Sequence, residues 1–422
     1  MSDTTSRSRY PAASSIGIRD READGMKITA VRCVRYTGTM PFNGTFWEER
    51  LIRPVDIYPE FGNEGANWIE PAGEAGYKMA SSFVHIETDA GVSGTGGPIT
   101  EEQAHLIQTQ MTHYLVGQDP LAIERIWDIL YRASVHGRKG IEMMAISAID
   151  CALWDLKGKW ANVPVYVLLG GPTRESVPAY ASMLGYSLEP ERVAERAKEI
   201  VAQGYRATKW FPRWGPTDGR AGIAKNVELA RTLRGAVGPD ADFMIDAWMS
   251  WDVPYTLAMA GRFAEYAPKW IEEPVLPDKV ASYAAITAQI GHNIQVSGAE
   301  HEYTRWGIQQ LMERRAMHIY QADTYWAGGI TELMKIATLA SVYDVVLIPH
   351  GHSTPANAHI SYSLPVTLCP IQEYLVKWNT VHQWFLKNPV MPINGAIPLP
   401  TLPGIGMELD DAKIEGQQEL RY

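Results

Sequence analysis

Hydrophobic and polar positions change period several times along this chain, and the changes mark its organisation. From Met26 the run MKITAVRCVRY is rich in β-branched residues and predicts a strand. From Ser81, SSFVHIETDAGVSGTG predicts a hairpin turned at Asp89-Ala90-Gly91. Between them, Thr37 to Lys78 has no clear period but carries Phe42, Phe46, Trp47, Tyr58, Phe61 and Trp68 beside Glu48, Glu49, Arg50 and Arg53. So many aromatic residues in one long loop read as a lid or binding loop, or alternatively a subunit contact, rather than as disorder. Helices follow. Thr100 and Gln103 have capping-box spacing, and Asp119-Pro120 places a cap and a first-turn proline before LAIERIWDILYRA. From Gly140 one helical face collects Ile141, Ala145, Ala148, Ile149, Ala152 and Leu156. Asp150 and Asp155 on that helix, in the company of Trp154 and Lys157, predict a domain junction with satisfied polar groups.

Beyond VPVYVLLGG the pattern becomes a beat. Apolar runs at 177–184, 205–211, 243–246, 269–272, 294–300, 318–323, 345–350 and 371–374 alternate with helical segments such as PERVAERAKEIVAQ and GITELMKIATLASVY. Five of these runs lead into Asp246, Glu272, Glu300, Asp323 and His350, at intervals of 26, 28, 23 and 27 residues. A strand, a helix and their two loops take about that length, roughly 25–30 residues. The predicted fold is therefore α/β: a modified TIM barrel, (β/α)7β, with an N-terminal α+β capping domain. Residues 26–172 form the capping domain and 173–384 the barrel, and the proline- and glycine-rich segment 385–422 returns to complete the cap. Residues 1–25 are polar, lack the apolar core of a signal peptide and predict a disordered tail.

Composition narrows the chemistry. At 422 residues the chain suits a barrel plus a smaller domain, and 46% hydrophobic with 20% charged content is a soluble globular profile. A formal charge of -10 argues against nucleic acid or an anionic membrane as partner. Cys33, Cys151 and Cys369 are isolated and odd in number, so neither a disulfide framework nor a zinc knuckle is indicated and a reducing cytoplasm fits. No apolar run reaches the roughly 18 residues needed to span a bilayer.

In a barrel the C-terminal ends of the strands converge on one mouth. Asp246, Glu272 and Glu300 end three consecutive strands there, and so much buried negative charge requires a cation. Three hard oxygen ligands suit Mg²⁺ better than zinc. Glu273 follows its neighbour and is expected on the opposite side of the strand, in a supporting or packing role. His350 and Asp323 end the next two strands. A carboxylate on one imidazole nitrogen fixes the tautomer and raises basicity at the other, which makes His350 the expected base for a proton alpha to a carboxylate. Glu373, if protonated, would hydrogen-bond the enolate oxygen.

AISAIDCALWDLKGK at 145–159, the three acids, ADTYWAGGITE at 322–332 and PHG at 349–351 together resemble the enolase superfamily, mandelate racemase subgroup. DAWMSWDVPY, GAEHEYT and PHGHS are most similar to the L-rhamnonate dehydratase group within it. The resemblance implies an Mg²⁺-dependent lyase acting on an acid sugar, assembled as a homo-oligomer. It implies an active-site role for His301 as polar contact or proton carrier, and a contact of Lys209 with the substrate carboxylate. Arg213, and Trp47, Arg50 and Arg53 of the lid, are candidate substrate contacts. Racemases of the subgroup carry a second lysine where this chain has Phe211, and a phenylalanine cannot take a proton. That favours dehydration over the alternatives, an epimerase, racemase or cycloisomerase of the same superfamily. A hydrolase built on a metal barrel would want histidine ligands on the early strands, which are lacking, and a silent metabolite-binding relative would need a broken constellation.

Overall fold

A computed structural model describes residues 25–62, 65, 69–73 and 76–422. The predicted tail as far as residue 24, and Trp68 of the loop, lie outside the described residues.

The capping domain is built on an antiparallel sheet. Strands β1 (Ile28–Pro41), β2 (Gly76–Thr88) and β3 (Ser93–Ile99) form a meander. The pairing of β1 with β2 runs out to Pro41↔Gly76, so the loop between them begins later and ends earlier than the sequence pattern indicated. One sheet face buries Ile28, Val31, Cys33, Val84 and Ile86 against the helix Ile141–Ala161, which contributes Ile146, Ile149 and Leu153. The close approach depends on Gly94 and Gly96, where a Cβ would collide with the helix carbonyls of Ala152 and Ala148. Thr100 and Gln103 cap the helix Glu101–Leu106 in both directions, as their spacing predicts. The helix expected after Asp119-Pro120 starts only at Ile123, because Asp119 Oδ1 closes a tight turn by accepting from the Leu121 N–H at 2.9 Å.

Eight parallel strands follow: β4 (Val177–Ser182), β5 (Ala207–Trp210), β6 (Asp242–Asp246), β7 (Trp270–Glu272), β8 (Gln295–Gly298), β9 (Ile319–Tyr320), β10 (Val346–Leu347) and β11 (Gln372–Leu375). Their order is β10-β9-β8-β7-β6-β5-β4-β11, which sets the last strand beside the first and curls the sheet into the half-barrel of this fold. Seven helices, from Pro190–Ala202 to Thr354–Ser363, fill the crossovers. The floor of the barrel interior is packed by Tyr180, Met244, Trp270, Ile319 and Ile348, a filled core rather than a pore. Two final strands tie the chain together. β12 (Ala396–Ile397) pairs antiparallel with β4, and β13 (Gly416–Leu420) joins the free edge of β1 from Cys33↔Leu420 to Thr37↔Gly416.

The junction helix is held by polar bonds. Asp155 accepts from the Thr95 and Ile405 N–H groups at 3.0 and 2.8 Å, and Asp150 from the Thr331 N–H at 3.0 Å. Trp154 Nε1 donates to Thr331 Oγ1 at 2.8 Å. Among the described residues no helix is long and apolar enough to cross a membrane.

Candidate active site

The strand tips deliver two groups of side chains to the barrel mouth. The first centres on Lys209 of β5, fully buried, whose ammonium reaches three acids from other strands. Its Nζ lies 3.0 Å from Asp246 Oδ2 and 2.7 Å from Glu373 Oε1, and it donates to Glu272 Oε1. Asp246 and Glu272 face each other in register, which is why one amine can bridge them. Glu272 Oε2 also accepts from Trp270 Nε1 and Gln321 Nε2, each at 2.9 Å. Burial opposes the charge on Lys209, but Asp246, Glu272 and Glu373 together hold its pKa well above the usual value. It is a fixed cation.

The second group centres on Glu300. His350 Nδ1 lies 2.8 Å from Asp323 Oδ2, while its Nε2 lies 3.4 Å from Glu300 Oε2. Asp323 is itself fixed through Oδ1, which accepts from Ser353 Oγ at 2.6 Å and from the Tyr325 N–H at 2.7 Å. Across from it, His301 Nδ1 lies 2.9 Å from Glu273 Oε2 and 3.5 Å from Glu300 Oε1. Burial alone would lower both imidazoles. The Glu273 carboxylate nevertheless raises His301 to about 9, and Glu300 with the Asp323 hydrogen bond raises His350 to about 10.

Two expectations are corrected here. Glu273 does not point away from the mouth: β7 ends at Glu272, and Glu273 adopts a left-handed backbone at φ 39°. That turn suspends strand alternation and brings its carboxylate to Glu300 and His301. Nor is Glu373 a protonated donor. Burial would raise its pKa, but Lys209 and His350 outweigh burial and leave it below the usual carboxylate range, and its Oε2 accepts from the Gly351 N–H at 2.8 Å.

The electrostatics fit a hard divalent cation. Burial raises Asp246 to about 6 and also pushes up Glu272 and Glu300. Glu273 Oε1 is buried without a hydrogen-bond partner. The donors are almost all carboxylate oxygens, the chemistry Mg²⁺ takes and zinc does not favour. Among the described residues, the group whose ligand atoms all lie within 4.8 Å of one another is Glu273, Glu300 and His301. Of the three acids read from the sequence, Glu300 alone belongs to it, because Lys209 draws Asp246 and Glu272 toward itself.

Above the acids is a cavity of about 90 Å³ lined by Asp246, Glu300 and His350, with Leu51, Phe211 and Trp326 among its apolar walls. Leu51 comes from the loop after β1, whose described residues therefore reach over the mouth. The loop is docked by backbone bonds, Glu48 N–H to the Gly185 carbonyl at 2.8 Å and Ile52 N–H to the Pro212 carbonyl at 3.0 Å. Trp47 is buried against Trp378, 5.9 Å between ring centroids, and lies over Gly185, where a Cβ would meet its ring. The loop's arginines are engaged with the loop itself. Arg50 is buried and donates to Asp56 Oδ2 at 2.5 Å and to the Gly62 carbonyl at 2.7 Å. Arg53 donates to Asp56 Oδ1 at 3.0 Å, and Arg213 of the barrel donates to the Gly62 carbonyl. These three guanidinium groups brace the lid, and the cavity lining contains none of them. Sequence reasoning missed Leu51, Trp326 and His352, although Trp326 lies in ADTYWAGG and His352 in PHGHS, beside the two residues it did find.

The chain matches the family model described as "Enolase C-terminal domain-like" over residues 192–413. It matches "Mandelate racemase / muconate lactonizing enzyme, N-terminal domain" over residues 74–170. It is 33% identical over 402 residues to L-rhamnonate dehydratase of Saccharopolyspora erythraea, covering 91% of this chain and 97% of that protein. Among solved structures it is similar to L-rhamnonate dehydratase from Gibberella zeae, at a TM-score of 0.78 and 32% identity over 92% of this chain and 95% of the other. The Mg complex of the Gibberella enzyme aligns with a TM-score of 0.76 and 31% identity, over 92% of this chain and 95% of that one. The 3,6-anhydro-D-galactonate cycloisomerase of Zobellia galactanivorans aligns with a TM-score of 0.73 and 28% identity, over 92% and 100% of the two chains. This chain belongs to the enolase superfamily, in its mandelate racemase / muconate lactonizing enzyme branch.

Proposed function

We propose that this protein is an Mg²⁺-dependent hydro-lyase that dehydrates an acid sugar, an aldonate of the L-rhamnonate type, to its 2-keto-3-deoxy acid. The observation that carries the reading is His350 at the cavity wall, braced through Asp323 and turned toward Glu300. The relatives named above as dehydratases, one of them an Mg complex, support it. Asp246, Glu272 and Glu300 are the residues assigned to hold the ion, with Glu273 beside them. Bound there, Mg²⁺ supplies positive charge that makes a proton alpha to the substrate carboxylate acidic.

With Glu300 engaged by the ion, His350 loses the carboxylate that most favours its charge; neutral, it takes the C2 proton on Nε2, since Asp323 keeps the other proton on Nδ1. The electron pair left at C2 forms the C2=C3 bond as the 3-hydroxyl departs. That hydroxyl receives a proton from His350, with His301, kept cationic by Glu273, as a second donor at the rim. Water and an enol result, and the enol tautomerises to the keto acid. Lys209, permanently charged, stabilises negative charge on the substrate carboxylate. The lid closed by Leu51 excludes water.

Epimerisation would need a second base on the opposite side. Phe211 has no exchangeable proton, and Lys209 is too firmly protonated to accept one. Incubating the purified protein and Mg²⁺ with mono- and diacid sugars, with NMR identification of products, tests the proposal. A 2-keto-3-deoxy acid is the expected product, abolished by EDTA. A C2 epimer or a cyclised isomer as main product, or full activity in EDTA, would overturn it.

A further inference from the structure

Three residues past His301, Thr304 has a backbone φ of 64°. A β-branched residue keeps that left-handed conformation only where its surroundings enforce it. The enforcing contacts come from the neighbouring loop and helix. The Thr304 N–H donates to the Ala327 carbonyl at 3.1 Å, and Arg305 gives its N–H and guanidinium to the buried Glu332 at 2.7 and 2.9 Å. The segment carrying Glu300 and His301 is thereby tied to the one carrying Asp323 and Trp326. Trp326 in turn packs on both imidazoles, its ring centroid 5.5 Å from His301 and 5.1 Å from His350.

The capping domain grips this joint at one residue. Gly328, at φ 126°, donates its N–H to Ser147 Oγ at 2.9 Å, and its carbonyl accepts from Trp127 Nε1 at 2.8 Å. Ser147 lies on the junction helix and Trp127 on the helix Ile123–Ala133, and both side chains are buried. The Trp127 ring also lies 5.6 Å from Arg305 Cζ, a cation–π contact, so one side chain of the cap meets the ends of both segments. Its own position is fixed by stacking on Tyr131 at 5.1 Å, and Tyr131 stacks on Trp306 at 4.8 Å. A buried indole N–H is costly to leave unpaired, so the Gly328 carbonyl has one favoured place. Trp127 itself does not line the cavity at the mouth.

Resting on the dehydratase reading above, we propose that Trp127 of the capping domain is a positioning residue for the proton transfers. Through the Gly328 carbonyl and Arg305 it sets the two segments, and with them the His301 and His350 rings, against each other. Trp127→Phe tests this, because it removes the indole N–H and keeps an aromatic ring beside Tyr131. The matched control is Trp154→Phe: Trp154 also sends its N–H across the junction, to Thr331 Oγ1 at 2.8 Å, but onto a helix rather than a segment that carries the site. In ¹⁵N NMR of labelled histidine, Trp127→Phe should shift the ring resonances of His301 and His350, and Trp154→Phe should leave them in place. On an acid sugar that the wild type dehydrates, Trp127→Phe should lower kcat by about ten- to a hundredfold with KM within about twofold, the signature of misplaced groups rather than lost binding. Trp154→Phe should leave both constants unchanged. Should Trp127→Phe fail to fold, Ser147→Ala loosens the same glycine and carries the comparison. Wild-type resonances and kcat in the Trp127 variant, or equal kcat losses in the two tryptophan variants, would overturn the inference while leaving the dehydratase reading intact. A wild type that dehydrates no acid sugar removes that reading, and the NMR comparison alone then decides whether Trp127 places the two rings.

Discussion

Replacing Asp323 by asparagine changes one atom, and the surroundings of that atom dictate the outcome. Oδ1 of Asp323 accepts from two donors, Ser353 Oγ at 2.6 Å and the Tyr325 N–H at 2.7 Å. In Asp323→Asn the amide oxygen must occupy that side, so the NH₂ group faces His350 Nδ1, now 2.8 Å from Oδ2. Nδ1 then has to accept, which moves the imidazole proton to Nε2, the atom that should take the substrate proton. Glu300 Oε2, 3.4 Å from Nε2, favours the same misplaced proton. Restoring the working tautomer means giving up the amide bond and the contact to Glu300. At about 1 kcal/mol for the neutral bond and about 1.5–3 kcal/mol for the charged one, the penalty is roughly 2.5–4 kcal/mol. That corresponds to a loss of about 10²–10³ in kcat. Steady-state formation of 2-keto acid measures the loss, and ¹⁵N NMR of labelled histidine reads the tautomer directly. An Asp323→Asn enzyme within tenfold of wild type would show that His350 does not depend on this tautomer, and the role assigned to it would fall.

Other expectations follow from the same site. Glu272→Gln should abolish Mg²⁺-dependent turnover and weaken Mg²⁺ binding by calorimetry while circular dichroism stays native; undiminished binding would remove Glu272 from the ligand set. Above about pH 6.5 unfolded carboxyls and imidazoles have shed their protons, whereas folded His301 and His350, raised to about 9 and about 10, keep theirs. The metal-free folded state therefore binds more protons, and its Tm should fall between pH 6.5 and 9. Mg²⁺ should stabilise more at pH 8.5 than at pH 6.5, because protons leave the raised Glu272 and Glu300 as it binds; a pH-independent Mg²⁺ increment contradicts this. In D₂O the substrate should yield dehydrated keto acid with no C2 epimer by NMR, and an epimer in quantity would expose a second base.

Much of this architecture was legible because barrels announce themselves by period. A strand-and-helix beat with an acid or histidine at each strand tip locates Asp246, Glu272, Glu300, Asp323 and His350 without any three-dimensional information. What escaped depends on partners far apart in sequence or on backbone geometry. The turn at Glu273 is a φ of 39°, invisible to an argument from alternation. Arg50 and Arg53 look like free cations in a binding loop until Asp56 is seen between them, and Arg213 turns to the carbonyl of Gly62 rather than inward. Lys209 reads as a substrate contact, yet its triple pairing needs the tips of β5, β6, β7 and β11 to converge on one mouth.

The ladder between β1 and β13 joins residues almost four hundred positions apart, Cys33 with Leu420 and Thr37 with Gly416. The barrel is thus a long insertion within the sheet that caps it. During synthesis the barrel strands emerge together and can pair in order, while β1 keeps an open edge until the closing segment leaves the ribosome. Contacts of such sequence separation form late and slowly. The lid loop springs from the end of β1, where the ladder with β2 runs to Pro41↔Gly76, and β13 braces the other edge of the same strand. A nascent chain would hold its acids and His350 in place before the sheet that carries the lid had its outer edge closed.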